Sequence, residues 1–181
     1  MTEEVKWSER LIAAALARQV FHRKHLVVVP NCTWTGDECD LLVVTADLRI
    51  VDVEVKISRA DFRADSKKDK WFEHWAGDYG TPYHLRKREP RHWPRKVWKH
   101  YYALPKEIWR PEMKDMRPSP NSGIILLNTI GSRMFAHIEH RARPCRDAEK
   151  LSPADAVDIA RLASLRMWDA YIEIEELKRM K

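Results

Sequence analysis

The stretch from residue 38 to residue 57 decides the fold: Glu38-Cys39-Asp40-Leu41-Leu42-Val43-Val44-Thr45-Ala46-Asp47-Leu48-Arg49-Ile50-Val51-Asp52-Val53-Glu54-Val55-Lys56-Ile57. Two apolar, β-branched runs flank a short turn at residues 46–48, and this pattern predicts a β-hairpin. In the second run the valines alternate with Asp52, Glu54 and Lys56. Because side chains on a strand alternate between its two faces, these three charged groups share one face.

A hairpin folded about Asp47 pairs residues whose numbers sum to about 94, which sets Asp40 opposite Glu54. Directly opposed residues have Cβ atoms roughly 4.5–5.5 Å apart, so the two carboxylates repel unless a positive charge lies between them. A hard cation such as Mg²⁺ meets that need, since it takes carboxylate oxygens and keeps positions for water and phosphate. Lys56, on the same face, could orient a water or neutralise a phosphate oxygen. The same alternation is also typical of a half-exposed strand without any site, although opposed acids are a poor structural pair.

These residues resemble a known family. Asp40, a hydrophobic hairpin and Glu54-Val55-Lys56 are similar to the motif of the PD-(D/E)XK phosphodiesterase superfamily, which has the restriction-endonuclease-like fold. The continuation from Ile57 to Phe62, followed by Asp65 and Lys67-Lys68, resembles small bacterial and phage members such as the MmcB-type DNA-repair nucleases. The resemblance covers about residues 9–62, with weaker echoes at residues 101–105 and 123–127. One departure is Cys39 at the position before Asp40, where the family motif has proline.

The resemblance implies an α/β fold in a single domain over residues 1–181: a central mixed β-sheet flanked by helices, with a basic, Trp-rich insertion at about residues 71–99. It implies a Mg²⁺-dependent nuclease, with Mn²⁺ as a substitute ion, that cleaves nucleic-acid phosphodiester bonds in phage or bacterial DNA processing or repair. DNA is the expected substrate. Asp40, Glu54 and the carbonyl of Val55 would hold the ion, and Lys56 would position the attacking water or stabilise the phosphate.

Glu9 is a further candidate for the catalytic site. The pattern from residue 2 to about residue 22 predicts a helix, and Glu9 falls on the stripe that contains Ile12 and Ala13. A carboxylate on a core-facing stripe is costly unless it is paired or binds a cation, and the family often places a helical glutamate near its metal. The alternative is an ordinary first-turn glutamate that the helix dipole favours.

Ser58 is predicted to cap a second helix, with Asp61 three residues on, that runs from Arg59 into the 67–70 region. Lys67 and Lys68 on this segment are candidates for phosphate contacts. The alternative is a solvated helix, because neighbouring aspartates largely balance its lysines and arginines.

Residues 71–98 contain half of the eight tryptophans of the chain and a dense basic run, but no clear periodicity. Basic residues interleaved with aromatic rings suit nucleic acid, since cations hold phosphates and rings stack on bases. The candidate nucleic-acid-binding residues here are Arg86, Lys87, Arg88, Arg91, Arg95 and Lys96. A solvated loop whose tryptophans pack on the domain is the alternative. The spacing of His84, His92 and His100 fits no common zinc site.

The remaining elements are read from apolar runs and caps. Strands are predicted at residues 26–30, 100–104, 123–128 and 134–138. A final helix is expected to begin after Ser152, with Pro153 in its first position. Its apolar residues Ile159, Leu162, Ala163, Met167 and Tyr171 are expected to pack on the sheet.

Composition sets the remaining expectations. The 181 residues are 44% hydrophobic and 33% charged, with a net charge of +6 that favours a polyanionic partner. Three cysteines without metal spacing indicate reduced thiols and a cytoplasmic location, and no apolar run is long enough to predict a membrane partner. Two rival functions remain: a non-catalytic nucleic-acid-binding module of the same fold, and an interaction subunit whose Trp-rich loop docks on a protein. The oligomeric state is unknown from sequence.

Overall fold

The structure is a computed structural model, and it describes residues 6–22, 25–74, 88–131 and 133–180. The three α-helices within these ranges are α1 (Glu9–Gln19), α2 (Arg59–Ala64) and α3 (Pro153–Arg179). The strands are β1 (His25–Cys32), β2 (Cys39–Thr45), β3 (Ile50–Val55), β4 (Phe72–His74), β5 (Arg88–Pro90), β6 (Val97–Pro105), β7 (Gly123–Ile130) and β8 (Arg133–His140). Short 3₁₀ turns occupy Asp65–Lys67, Asp69–Trp71 and Pro111–Met116.

Six of the described strands form one mixed sheet in the order β1-β2-β3-β6-β7-β8. The pairs β1–β2, β2–β3 and β7–β8 are antiparallel, whereas β3, β6 and β7 run parallel. The strand β3 lies at the centre and is buried along its whole length. It is therefore covered on both faces, and the interpretation of residues 50–55 as a half-exposed strand is wrong.

The two faces of β3 meet different parts of the chain. Val51, Val53 and Val55 join a core that includes Ile12 and Leu16 of α1. On the other face, Asp52 and Glu54 are covered by the segment that follows β3, which forms α2 and the two 3₁₀ turns at residues 65–71. The predicted alternation thus exists, but its charged side is buried like its apolar side.

Both predicted helix caps are confirmed. The Ser58 side chain accepts a hydrogen bond from the Asp61 N–H at the start of α2, and Ser152 forms a full capping box with Asp155 at the start of α3. The second helix is shorter than predicted, since α2 ends at Ala64 and 3₁₀ turns follow. These turns bring the lysines after residue 66 back toward the sheet.

The final helix differs from its prediction in how it packs. Ile159 is buried and Leu162 packs against the core beside β1, as expected. Met167 and Tyr171 are exposed, so the prediction that they lie against the sheet is wrong. A helix of 27 residues is about 40 Å long, longer than the strands it packs on, and its residues 164–179 are all exposed.

The predicted insertion at residues 71–99 contains regular structure where it is described. Strands β4 and β5 pair as a small antiparallel ribbon, and β6 begins at Val97, three residues before the predicted strand at residue 100. Together these elements give a single α/β domain built on a mixed sheet with flanking helices. None of the helices in the described ranges combines the length and apolarity that crossing a bilayer requires.

Candidate active site

The register of the β2–β3 hairpin brings the candidate acids together. Leu41 pairs with Val53 and Val44 with Ile50, so the predicted pairing about Asp47 is confirmed. At the open end of the hairpin, Oδ2 of Asp40 accepts a 2.7 Å hydrogen bond from the backbone N–H of Val55. This bond fixes the Asp40 carboxylate beside the end of β3, where Glu54 and Lys56 lie.

Glu54 is the centre of the site and is fully buried. Among the described residues, three lysine ammonium groups contact its carboxylate. Lys70 Nζ lies 2.5 Å from Oε1, Lys68 Nζ lies 2.5 Å from Oε2, and Lys56 Nζ lies 3.0 Å from Oε2. Although burial opposes ionisation, the charges of Lys70, Lys56 and Lys68 hold the pKa of Glu54 well below its ordinary value. Glu54 is therefore a carboxylate at any physiological pH.

Asp52 extends the site toward β6. Its Oδ2 lies 3.0 Å from Lys70 Nζ and 3.7 Å from Nε2 of His100, whose other ring nitrogen, Nδ1, lies 3.0 Å from Oγ of Ser122. Burial raises the pKa of Asp52 to about 6, with Lys70 opposing the shift. Burial and the charge of Lys70 lower the pKa of His100 to about 3, so this imidazole is neutral and supplies no positive charge.

Asp65 is a further carboxylate of the site and pairs with Lys56. It is fully buried, and its Oδ1 lies 2.8 Å from Lys56 Nζ. Its Oδ2 accepts hydrogen bonds from the Tyr102 hydroxyl at 2.6 Å and from the Trp71 indole N–H at 2.9 Å. The pKa of Asp65 is lowered: burial opposes ionisation, but the charge of Lys56 outweighs it. Asp61, half exposed, adds a longer contact to Lys56 at 3.8 Å.

We call the group that surrounds Glu54 the carboxylate–lysine cluster; its members are Asp40, Asp52, Glu54, Lys56, Asp65, Lys68 and Lys70. Within it four carboxylates face three ammonium groups, and the nearby His100 is neutral. Burial, followed by the negative charge of Glu54, raises the pKa of Asp40 to about 6. The cluster therefore contains more carboxylates than ammonium groups, and burial raises the pKa of both Asp40 and Asp52 to about 6.

A divalent cation in this cluster would need the oxygens of Asp40 and Glu54 and the carbonyl of Val55, although Oδ1 of Asp52 and Oδ1 of Asp65 are also buried carboxylate oxygens without a hydrogen bond from the described residues. Oδ1 of Asp40 accepts no hydrogen bond from the described residues, and Val55, whose N–H binds Oδ2, directly follows Glu54 in β3. Both oxygens of Glu54 are in contact with lysines, so an ion that binds Glu54 competes with their positive charges. No group of three His, Cys, Asp or Glu residues within the described ranges is arranged to hold a metal ion.

Glu9 lies on α1 as its first residue, where a helix dipole favours an acid. Its side chain is exposed, so the prediction that it shares the core-facing stripe with Ile12 is wrong. No described contact joins Glu9 to Asp40 or Glu54, and the structure does not bring it into the cluster.

The predicted basic residues lie in several different surroundings. Lys68 belongs to the cluster, whereas Lys67 is exposed. Arg88 contacts Asp69 at 3.2 Å and stacks over the Phe72 ring at 3.9 Å. Arg91 contacts Glu73 at 3.2 Å. Neighbouring acids thus pair with two cations of a stretch whose charged residues are mostly basic in the sequence.

Arg95 and Lys96 remain exposed, and Lys96 Nζ lies 4.5 Å from the centre of the Trp34 ring. Arg86 and Lys87 lie outside the described residues, as does His84. A cleft of about 880 Å³ is lined by Asp69, Glu73, Arg91, Trp93, Arg95 and Lys96 among others, but not by Asp40, Glu54 or Lys56. The cleft lined by Arg91, Arg95 and Lys96 therefore carries mixed charge.

Sequence reasoning missed four groups of this site: Asp52, Asp65, Lys70 and Tyr102. Asp52 could have been found, because it shares a strand face with Glu54. Asp65 and Lys70 lie in a charged segment that reads as solvent-exposed, and no local signal marks them as buried.

No family model matches the chain, and no curated protein matches it. Among solved structures, the SPO1766 protein of unknown function from Silicibacter pomeroyi is similar, with a TM-score of 0.55 and 18% sequence identity over 96% of each chain. At this identity the similarity concerns the fold alone. It shows that the other chain has a similar α/β architecture over nearly all of the compared residues, and it says nothing of the chemistry.

Proposed function

We propose that this chain is a divalent-metal-dependent nuclease with a restriction-endonuclease-like fold, acting on nucleic acid and preferentially on DNA. The observation that supports it most is the convergence of Asp40, Glu54 and Lys56 at one end of the β2–β3 hairpin. The sheet supports the fold assignment, because an antiparallel hairpin continues through β3 into a parallel pair with β6.

Asp40 and Glu54 would hold the ion with the carbonyl of Val55. When bound, a divalent cation lowers the pKa of a coordinated water and offsets negative charge on a phosphoryl oxygen. Asp40 suits this role, since burial and then the negative charge of Glu54 raise the pKa of its carboxyl, and a bound cation would offset that charge. The Val55 N–H keeps the Asp40 carboxylate oriented.

Lys56 would act through its charge. Despite burial, Glu54 and Asp65 raise its pKa, so Lys56 is an ammonium group at neutral pH and does not serve as a proton acceptor. Its side chain is buried between these two carboxylates. From that position it stabilises developing negative charge at a phosphate while keeping Glu54 in place.

A non-catalytic nucleic-acid-binding module is the second candidate. It is favoured by the lysine contacts that occupy both oxygens of Glu54. Under this alternative, the cluster is a structural element and exposed cations such as Arg95 and Lys96 carry the binding.

The test is hydrolysis of end-labelled DNA, single-stranded and duplex, with Mg²⁺ or Mn²⁺ and with EDTA as the blank. The wild-type chain should cleave only with the ion, and Asp40→Asn should abolish cleavage. Asp47→Asn, which removes an acid from the turn of the same hairpin, is the matched control and should cleave normally. Salt-sensitive DNA binding without cleavage by the wild-type chain would support the binding module instead.

A further inference from the structure

Lys68 differs from the other two lysines that contact Glu54. It lies in the single-residue link between the 3₁₀ turns Asp65–Lys67 and Asp69–Trp71. Its side chain is 43% exposed, whereas those of Lys56 and Lys70 are 1% and 2% exposed.

The contacts of the three lysines differ in the same way. Lys56 bridges Glu54 and Asp65 at 3.0 and 2.8 Å, and Lys70 bridges Glu54 and Asp52 at 2.5 and 3.0 Å. Lys68 makes one short contact, 2.5 Å to Oε2 of Glu54, and a longer one of 3.6 Å to Asp65. Moving Lys68 away breaks one short ion pair and exposes little additional side chain.

Lys68 also occupies a place beside the Glu54 carboxylate where a metal ion would bind. The ammonium of this half-exposed side chain contacts the buried Glu54 carboxylate, and its charge acts on Asp40 as well. It therefore supplies, in part, the positive charge that the two neighbouring carboxylates require. A half-exposed ammonium in contact with water is cheaper to displace than a buried one, because its alternative position is solvated.

We propose that Lys68 is a built-in counter-ion that competes with the divalent cation for Glu54, so that ion binding releases the Lys68 ammonium into the mouth of the site. There it faces the position of a bound phosphate, which is the role the sequence predicts for this lysine. This inference rests on the proposed nuclease function, since it assumes that Asp40 and Glu54 bind an ion.

The experiment is calorimetric titration of the full chain with Mn²⁺ at pH 7.5. Lys68→Ala should bind Mn²⁺ roughly three- to fivefold more tightly than wild type, which is the upper part of the range for losing one partly exposed ion pair. Lys67→Ala is the matched control. It removes the same charge from the adjacent exposed residue, and should change the affinity by less than about twofold because screening weakens charges outside contact distance.

Lys68→Gln, which keeps most of the side chain, guards against a folding effect and should also bind more tightly than wild type. Equal or weaker Mn²⁺ binding by both Lys68 variants, while the wild type binds and Asp40→Asn does not, would overturn the competition and leave the nuclease proposal standing. Absence of Mn²⁺ binding in every variant would overturn both. Tighter binding by Lys67→Ala and Lys68→Ala to the same extent would also overturn the competition, because it would reflect net charge alone.

Discussion

The Asp40 carboxylate accepts a 2.7 Å hydrogen bond from the backbone N–H of Val55, across the open end of the β2–β3 hairpin. This relationship holds an acid at the edge of a buried cluster in which carboxylates outnumber ammonium groups. The other oxygen of Asp40 accepts no hydrogen bond from the part of the chain that the structure describes. The hairpin thus does more than pair two strands: it presents a partly unneutralised carboxylate next to Glu54.

Asp40→Asn should change stability in a pH-dependent way without added metal. The pKa of Asp40 is raised to about 6 from 3.8, so the folded state holds this proton more tightly than the unfolded state. Wild-type stability from this group is present at low pH and is lost as the pH rises from about 4 to about 6. The asparagine variant keeps the bond to Val55 and should melt about 2–4 °C higher at pH 8, with little change at pH 4.

The control for this measurement is Asp47→Asn in the hairpin turn. A hydrogen bond from the Thr45 hydroxyl holds the pKa of Asp47 below its ordinary value. The change in stability therefore has the opposite sign, and the variant should be less stable than wild type at pH 8. Thermal unfolding, monitored by circular dichroism at pH 4 and pH 8, measures the melting temperatures of both variants. A lower melting temperature of Asp40→Asn at pH 8 would contradict the charge balance described for the cluster.

Lys70→Met should be strongly destabilising. Lys70 is buried and neutralises both Asp52 and Glu54, so its removal leaves two buried acids short of a counter-charge. Breaking one partner of a buried pair costs about 3–5 kcal/mol. Urea unfolding measures the loss, and Lys67→Met, at an exposed position close by, should stay within about 0.5 kcal/mol of wild type. A loss below about 1 kcal/mol for Lys70→Met would show that the cluster is not closed as described.

Tyr102→Phe should cost about 1.5–3 kcal/mol of unfolding free energy, the usual contribution of a hydrogen bond to a charged group. The Tyr102 hydroxyl donates to Asp65 at 2.6 Å inside the core, and Trp71 alone cannot replace it. Tyr171→Phe on the exposed part of α3 serves as the control and should have no measurable effect. If the two substitutions had equal effects, the ordering of Asp65 by Tyr102 would be refuted.

The hairpin was predictable from sequence because a two-residue alternation and a short turn together fix a register. The pairing of Leu41 with Val53 follows from that pattern alone. The caps at Ser58 and Ser152 were predictable for a similar reason, since each depends on residues only three apart.

The rest of the site depends on contacts between distant parts of the chain. Asp65 and Lys70 are typical surface residues in their local context, and their burial arises because 3₁₀ turns fold back over the charged face of β3. Likewise, Glu54 meets Lys68 and Lys70 across 14 and 16 residues. In the second half of α3, by contrast, residues that the sequence predicts to be buried are exposed. Periodicity predicts an apolar face, but it does not show how far the sheet extends to cover that face.

The most direct test of the central claim is a crystal structure of the full chain soaked in Mn²⁺, with anomalous scattering used to locate the ion. The nuclease account predicts an anomalous peak in contact with Asp40, Glu54 and the Val55 carbonyl, at about 2.0–2.2 Å from their oxygens, with Lys68 withdrawn from Glu54. A map with no peak between Asp40 and Glu54, and with Lys68 still in contact with Glu54, would contradict it.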